Sequence, residues 1–217
     1  PASAILSGLV GSEMCIRDSH KLIRKIGNWM PEKTDIGSHK WNEVAEIVNN
    51  NFFFIEHERY DLDAVLNKGA QLVKRKGIKC LVIDPYNKIK MDGASNMSIP
   101  DATMEYLTRI EAFAKKYDVL VIVVAHPTKM YKKEDGTIDE PNMYNIKGGG
   151  EWYDASYHGL LVHRDYNKKT VKVKVLKVKF QNLGENQAEA HFKWDHISGN
   201  YVPVFDPSNE VMPWEVD

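Results

Sequence analysis

Cysteine is scarce in this 217-residue chain, with two in all, so a disulfide scaffold is excluded. Long apolar runs are missing too. The longest uncharged apolar stretch, Val119 to Ala125, falls far short of the roughly 20 residues a membrane-spanning helix needs. Neither charge dominates: 29 Lys and Arg stand against 30 Asp and Glu, which argues against a wholly basic nucleic-acid coat or an acidic tail but leaves room for a local basic patch. The chain also lacks any G-x-x-x-x-G-K-[ST] loop, the usual cradle for nucleotide phosphates. No internal repeat or low-complexity linker interrupts it. What is present, 43% apolar and 27% charged residues, is the make-up of an ordinary globular domain with a real core.

The first 19 residues, PASAILSGLVGSEMCIRDS, are set apart from fold reasoning. Glu13 to Ser19, EMCIRDS, is the translation of GAG-ATG-TGT-ATA-AGA-GAC-AGN, a string containing a transposon end used to fragment DNA for sequencing. A signal peptide is the other reading of the mildly apolar Ala4 to Val10. No positive segment precedes it, however, and Glu13, Arg17 and Asp18 follow at once. The natural frame is then expected to begin near His20, with a partial domain over 20–206 and a weakly ordered tail over 207–217. Without residues 1–19 the two charge signs are equal, and Cys80 is the sole thiol. It precedes an apolar strand, so a buried structural thiol in a reduced, cytoplasmic compartment is expected.

From His20 the chain alternates between helical and extended patterns. His20 to Trp29 and Trp41 to Asn50 read as helices, the second with Ser38 as a possible cap. Phe52 to Glu56 reads as a buried strand, Asp61 to Lys76 as an amphipathic helix stopped by Gly77, and Cys80 to Ile83 as a second buried strand. Pro100 starts a helix through Tyr117, with Ile110, Phe113, Ala114 and Tyr117 at three- and four-residue spacing, and Val119 to Ala125 is a third buried strand. Continuous apolar strands separated by helices predict an α/β fold with a parallel sheet covered on both faces. Beyond His158 the pattern changes. His158 to His163 is another apolar strand, and Val171 to Phe180, VKVKVLKVKF, alternates with period two. The alternation slips at Val175-Leu176, which predicts a bulge. Glu189 to Asp195 and Tyr201 to Val204 flank a turn at Ser198-Gly199-Asn200, so the C-terminal third is an antiparallel extension.

Four constellations carry chemistry. In LVIDPYN, Leu81 to Asn87, an aspartate ends a buried parallel strand, where open α/β sheets bind ligands. In nucleotide hydrolases that place belongs to the Walker B carboxylate, which holds a phosphate-bridging Mg²⁺. In VIVVAHPTK, His126 ends the next strand and could hydrogen-bond a phosphate, although a lone histidine is more often structural. The segment Lys129 to Asp154 joins Lys129, Lys132, Lys133 and Lys147 to Tyr131, Tyr144 and Trp152 and to three consecutive glycines, Gly148, Gly149 and Gly150. Cations and aromatic rings on a flexible loop suit a single-stranded nucleic-acid backbone, and amides beside glycine can bind phosphate. Glu134, Asp135, Asp139 and Glu140 equally suit a solvated loop. Last, Lys172, Lys174, Lys177 and Lys179 form a lysine ladder, ordinarily the wet face of a strand, from which one cation could reach a phosphate held by a neighbouring subunit.

Taken in order, strand-Asp-Pro-Tyr-Asn, strand-Ala-His-Pro-x-Lys, Gly-rich loop, His163-Arg164-Asp165, LKVKF and a hairpin ending in SGNYVP, these segments resemble the RecA-like ATPase domain of hexameric replicative DNA helicases: the DnaB group and the Twinkle-type and bacteriophage primase-helicases. The likeness spans His20 to Phe205. It implies a RecA-like parallel sheet flanked by helices, ATP and Mg²⁺ as cofactors, and a homo-oligomeric ring, a hexamer, moving on single-stranded DNA. It further implies that Asp84 is the Mg²⁺-coordinating Walker B aspartate, with Asn87 beside it at the nucleotide. His126 is then the sensor coupling the γ-phosphate to DNA, and Lys147 to Gly150 with Lys129, Lys132 and Lys133 are the DNA-gripping region. Lys177 and Lys179 match the pair that reaches the ATP of the adjacent subunit.

Two departures accompany the resemblance. Residue 179 is Lys where the family usually has Arg, and an ammonium is a point charge rather than a planar fork. The family's P-loop strand, its phosphate loop and its catalytic glutamate precede the segment resembling HKLIRKIG, a place taken here by residues 1–19, so the fragment alone is expected not to hydrolyse ATP. Two other readings stand beside this one. A non-hydrolysing RecA-like DNA-binding or recombination scaffold is the first. The second is a metal-dependent hydrolase using Asp84, His126, His163 and Asp165, which end successive strands.

Overall fold

The structure, a computed structural model, describes residues 7–10, 38–55, 61–90, 96–130, 140–165, 168–196 and 200–204. The helix expected at His20 to Trp29, Tyr131, Lys132, Lys133 and the tail over 207–217 lie outside these residues. The chain divides into two compact units, Pro1–Ser156 and Tyr157–Asp217.

The helices of the first unit begin and end where local chemistry satisfies their terminal backbone groups. Helix α1 spans Ser38–Asn51 and buries Val44 and Val48. Helix α2, Leu62–Lys76, is capped by Asp61, whose carboxylate accepts from the Ala64 amide at 2.7 Å. It ends at Gly77, where φ is 68° and the amide donates back to the Val73 carbonyl. Helix α3, Ile99–Tyr117, starts on Ser98, whose hydroxyl accepts from the Asp101 amide, has Pro100 in its first turn, and stops at left-handed Asp118. Its buried Tyr106, Leu107, Ile110 and Phe113 recur at helical spacing. Gly69 on α2 lets α3 and the sheet come close, since a Cβ there would lie 3.1 Å from the Phe113 ring and 3.4 Å from Leu81.

Four parallel strands form the sheet of this unit: β1 (Ser7–Val10), β2 (Phe53–Ile55), β3 (Cys80–Ile83) and β4 (Leu120–Val123), in the order β2-β1-β3-β4. Leu9 of β1 lies opposite both Phe54 and Val82. The segment set apart by sequence therefore supplies the backbone of an interior strand. Ladder hydrogen bonds come from main-chain groups that every non-proline residue carries, and SGLV contains no proline. Ile55, Leu81 and Ile83 are fully buried. Burial along the third apolar run differs from the sequence expectation. Val119 is buried, but Leu120 and Ile122 of β4, the last strand of this sheet among the described residues, are 58% and 43% exposed, because they stand on a face that no described element covers.

Cys80 is 4% exposed, and burial raises its thiol pKa. Reaction needs the thiolate and access, so native Cys80 should be inert. In a Cys15→Ser chain, disulfide-exchange labelling of the folded protein is expected to run at least about 100-fold slower than in urea, as for other sites in core strands. Equal rates would place Cys80 outside the core.

The second unit is an antiparallel meander, β5 (His158–Asp165), β6 (Thr170–Val178), β7 (Glu189–Asp195) and β8 (Asn200–Pro203), in that order in the sheet. The slip in VKVKVLKVKF becomes a bulge: Gly159 faces Lys177 while Leu160 faces Val175, leaving Leu176 as the extra residue. Trp194 and Tyr201 are a cross-strand pair with ring centroids 4.9 Å apart. Among the described residues no helix is long and apolar enough to cross a membrane.

Candidate functional site

Strands β3 and β4 run in register, Ile83 opposite Val123, and both leave the sheet at their C-terminal ends, the side on which open α/β sheets bind ligands. Asp84 follows Ile83 directly and is exposed, its peptide bond to Pro85 is cis, and exposed Asn87 stands on the single 3₁₀ turn Tyr86–Lys88. The Tyr86 amide donates to the Val124 carbonyl at 2.9 Å and the Val124 amide to the Ile83 carbonyl at 2.8 Å, which fastens the exit of β3 to the continuation of β4. His126 is exposed on that continuation. Asp84, Asn87 and His126 thus share one edge of the sheet.

No described residue forms a hydrogen bond or ion pair with the Asp84 carboxylate. An exposed carboxylate at a strand end fits Mg²⁺, which keeps several waters and takes one or two carboxylates plus substrate phosphates. It fits a transition-metal centre poorly. Among the described residues no three His, Cys, Asp or Glu side chains converge on a common point.

From His126 the chain leads straight to the glycine loop. Pro127 forms a bridge with Ile146, and the Thr128 amide donates to the Asn145 carbonyl at 2.7 Å. Asn145 closes the 3₁₀ turn Met143–Asn145, where Asn142 and Asn145 cap one another reciprocally and buried Met143 anchors the turn. Exposed Lys147 follows, and its carbonyl accepts from the Trp152 indole N–H at 3.0 Å and from the Tyr86 hydroxyl at 3.4 Å. Gly148 and Gly149 have φ of 103° and 58°. Gly148 is also packed against α3, where a Cβ would lie 2.4 Å from the Thr103 hydroxyl. Gly150 opens the short helix α4, Gly150–Ala155. The Gly149 amide donates to the Ile146 carbonyl at 2.8 Å, so this one amide of the glycine run is already engaged within the loop.

Trp152 departs from the sequence expectation. Counted by sequence among rings suited to stacking, it is 4% exposed and packs edge-on against Tyr86, 4.7 Å between centroids, while Tyr86 packs edge-on against buried Tyr106. The Tyr106 hydroxyl finds no hydrogen-bond partner among the described residues, and burial, with the nearby Tyr86, pushes its pKa far above the usual tyrosine range. Tyr86 and Thr103 are the contributors the sequence reading missed. Tyr86 was visible inside DPYN but gave no sign of reaching residue 147, and a threonine within a helix carries no pattern at all.

In the second unit, Lys177 lies at the end of β6 beyond the bulge and Lys179 just past it. The Lys179 ammonium stands over the Tyr157 ring, 4.0 Å from its centroid. Further back in the ladder, Lys172 pairs with Glu189 at 3.4 Å, and His191 also reaches Glu189, which lowers the Glu189 carboxyl pKa. The first half of the ladder is thus the ordinary charged face of a strand.

Residues 9–131 match the AAA domain family. The Twinkle homolog protein, chloroplastic/mitochondrial, of Arabidopsis thaliana is 28% identical to the chain, over 82% of this chain and 25% of its own length. This chain therefore spans about a quarter of that relative. Among solved structures, an ATPase domain superposes with a TM-score of 0.68 at 15% identity, over 92% of this chain and 75% of that one. A DnaB-like replicative helicase, solved for its interactions with primase, also gives 0.68 at 16% identity, over 91% and 51%. The chain belongs to the AAA domain family and has the RecA-like fold of the ATPase domains of DnaB-like replicative helicases.

Proposed function

We propose that this chain is part of the motor domain of an ATP-driven replicative DNA helicase that works as a ring on single-stranded DNA. Asp84 would hold Mg²⁺, with Asn87 beside the nucleotide; the bound ion would neutralise charge on the phosphate oxygens. His126 would report the state of the terminal phosphate to the DNA loop, Lys129 and Lys147 would pair with DNA phosphates, and Lys177 and Lys179 would reach the nucleotide of an adjacent subunit. The observation that carries the reading is a pair of short links: two residues after Asp84 the Tyr86 hydroxyl meets the Lys147 carbonyl, and two residues after His126 the Thr128 amide holds the turn before Lys147. The same two strand ends that face the nucleotide therefore fasten the loop assigned to DNA.

Loss or gain of one phosphate at such an edge has a direct mechanical route to the loop. The plant relative is by name chloroplastic/mitochondrial, so the cytoplasmic compartment expected from sequence is not one it shares by name. The test is turnover. Extended with a grafted phosphate-binding loop, the chain is expected to hydrolyse ATP faster when single-stranded DNA is added, whereas the 217 residues alone, which contain no G-x-x-x-x-G-K-[ST] loop, should not hydrolyse it. An extended chain that oligomerises and binds nucleotide but shows no DNA stimulation would point to the non-hydrolysing scaffold.

A further inference from the structure

The geometry points to Tyr144, supported by Tyr153, as a stacking platform for an unpaired base of the strand held by the glycine loop. This rests on the assignment of that loop to single-stranded DNA and goes beyond it, because the assignment concerns phosphates and this concerns a base. The two rings stack nearly parallel, with centroids 5.3 Å apart and planes 19° apart. Tyr144 is 58% exposed and Tyr153 36%. Large rings normally bury most of their area, so an exposed stacked pair keeps apolar surface in water that a third flat group would cover.

Its setting is rigid. Tyr144 stands on the reciprocally capped turn, its own amide bonded to the Asn142 side chain at 2.9 Å, with Met143 buried beneath and Asn145 bonded to Thr128. Gly150 runs beside the ring, where a Cβ would lie 3.8 Å from Tyr144 Cε1. A ring already held in place loses little freedom on binding, which is what a stacking surface requires. Positive charge comes from exposed Lys147, three residues on, and from exposed Lys129, next to the Thr128 that ties the turn to β4. A flat aromatic end on a loop that also carries two exposed lysines suits a base with its flanking phosphates, and the stack accepts any base because every base has a π face.

Fluorescence anisotropy with a labelled oligo-dT and an equally long abasic oligonucleotide tests this on the 217-residue chain. Wild type should bind oligo-dT more tightly than the abasic strand. Tyr144→Ala should weaken oligo-dT binding roughly 10-fold, leave abasic binding unchanged and leave the slope of log affinity against log salt unchanged. Tyr144→Phe, which keeps the ring, should bind as wild type does, and unchanged abasic binding shows that Tyr144→Ala is folded. Lys147→Ala should lower affinity for both strands and flatten the salt slope. If Tyr144→Ala binds oligo-dT as wild type does, or loses both strands equally, stacking is overturned while the loop assignment stands. If wild type binds neither strand, the loop assignment falls and stacking with it.

Discussion

Asp84→Asn, made in the chain extended with a grafted phosphate-binding loop, is expected to lower DNA-stimulated ATP turnover by at least about 100-fold, the scale on which single electrostatic groups act at a reacting centre. The substitution keeps shape and size, and Asp84 is exposed at the end of β3 rather than within the core, so the melting temperature should hardly move. What is lost is the formal negative charge that a hard cation requires. Nucleotide binding measured without Mg²⁺ should therefore match wild type, while the gain in affinity on adding Mg²⁺ should disappear. Undiminished turnover in a folded Asp84→Asn protein would sink the Walker B assignment, and a loss of binding equal with and without Mg²⁺ would assign Asp84 to loop structure instead.

Gly148→Ala is expected to weaken single-stranded DNA binding of the 217-residue chain by roughly 10-fold or more. Two independent costs fall on one methyl group. The backbone at φ 103° disfavours any residue with a Cβ, on the order of 1–3 kcal/mol, and the added carbon would lie 2.4 Å from Thr103 Oγ1. Thr103 cannot easily turn aside, being 3% exposed with its hydroxyl bonded to the Ile99 carbonyl at 2.8 Å. The loop is then expected to leave its docked position on α3, and apparent affinity falls with the docked fraction. Adding Thr103→Ala removes the 2.4 Å contact to Oγ1 and the 2.8 Å contact to Cγ2 but leaves Cβ at 2.9 Å, so rescue should be partial. Full-strength DNA binding by Gly148→Ala would show that the docked loop is not the binding form.

Much of the architecture was legible because its determinants are local. The Asp61 and Pro100 starts of two helices, the Gly77 stop, the apolar strands and the one-residue slip in the lysine ladder all announce themselves within a few residues. The exposed face of β4 was not legible. Whether Leu120 and Ile122 are covered depends on what packs on their face of the sheet, and no property of LVIV records that. The same limit applies to the site. Asp84 and His126 stand out as candidates because strand ends concentrate function, whereas the contact between Tyr86 and Lys147 joins positions 61 apart in sequence. Trp152 was misjudged for a related reason: as a ring on a glycine-rich loop it is indistinguishable by sequence from Tyr144, and only packing separates the buried indole from the exposed phenol.

The bulge at Leu176 sets the phase of the lysine ladder. Lys174 faces Leu161 and Lys177 faces Gly159, and since Leu161 and Gly159 are two apart on β5, the lysines before and after the bulge point to one side although they are three apart in sequence. Leu176 works like a leap day, an extra unit that keeps the count aligned with the cycle. Deleting it would restore a strict valine-lysine alternation and keep every lysine on that side, while inserting a second extra residue with no bulge to absorb it would turn the final pair to the opposite one. The distance of Lys177 and Lys179 from any motif in the linear sequence is therefore a poor guide to their direction; the parity of residues after the bulge decides it.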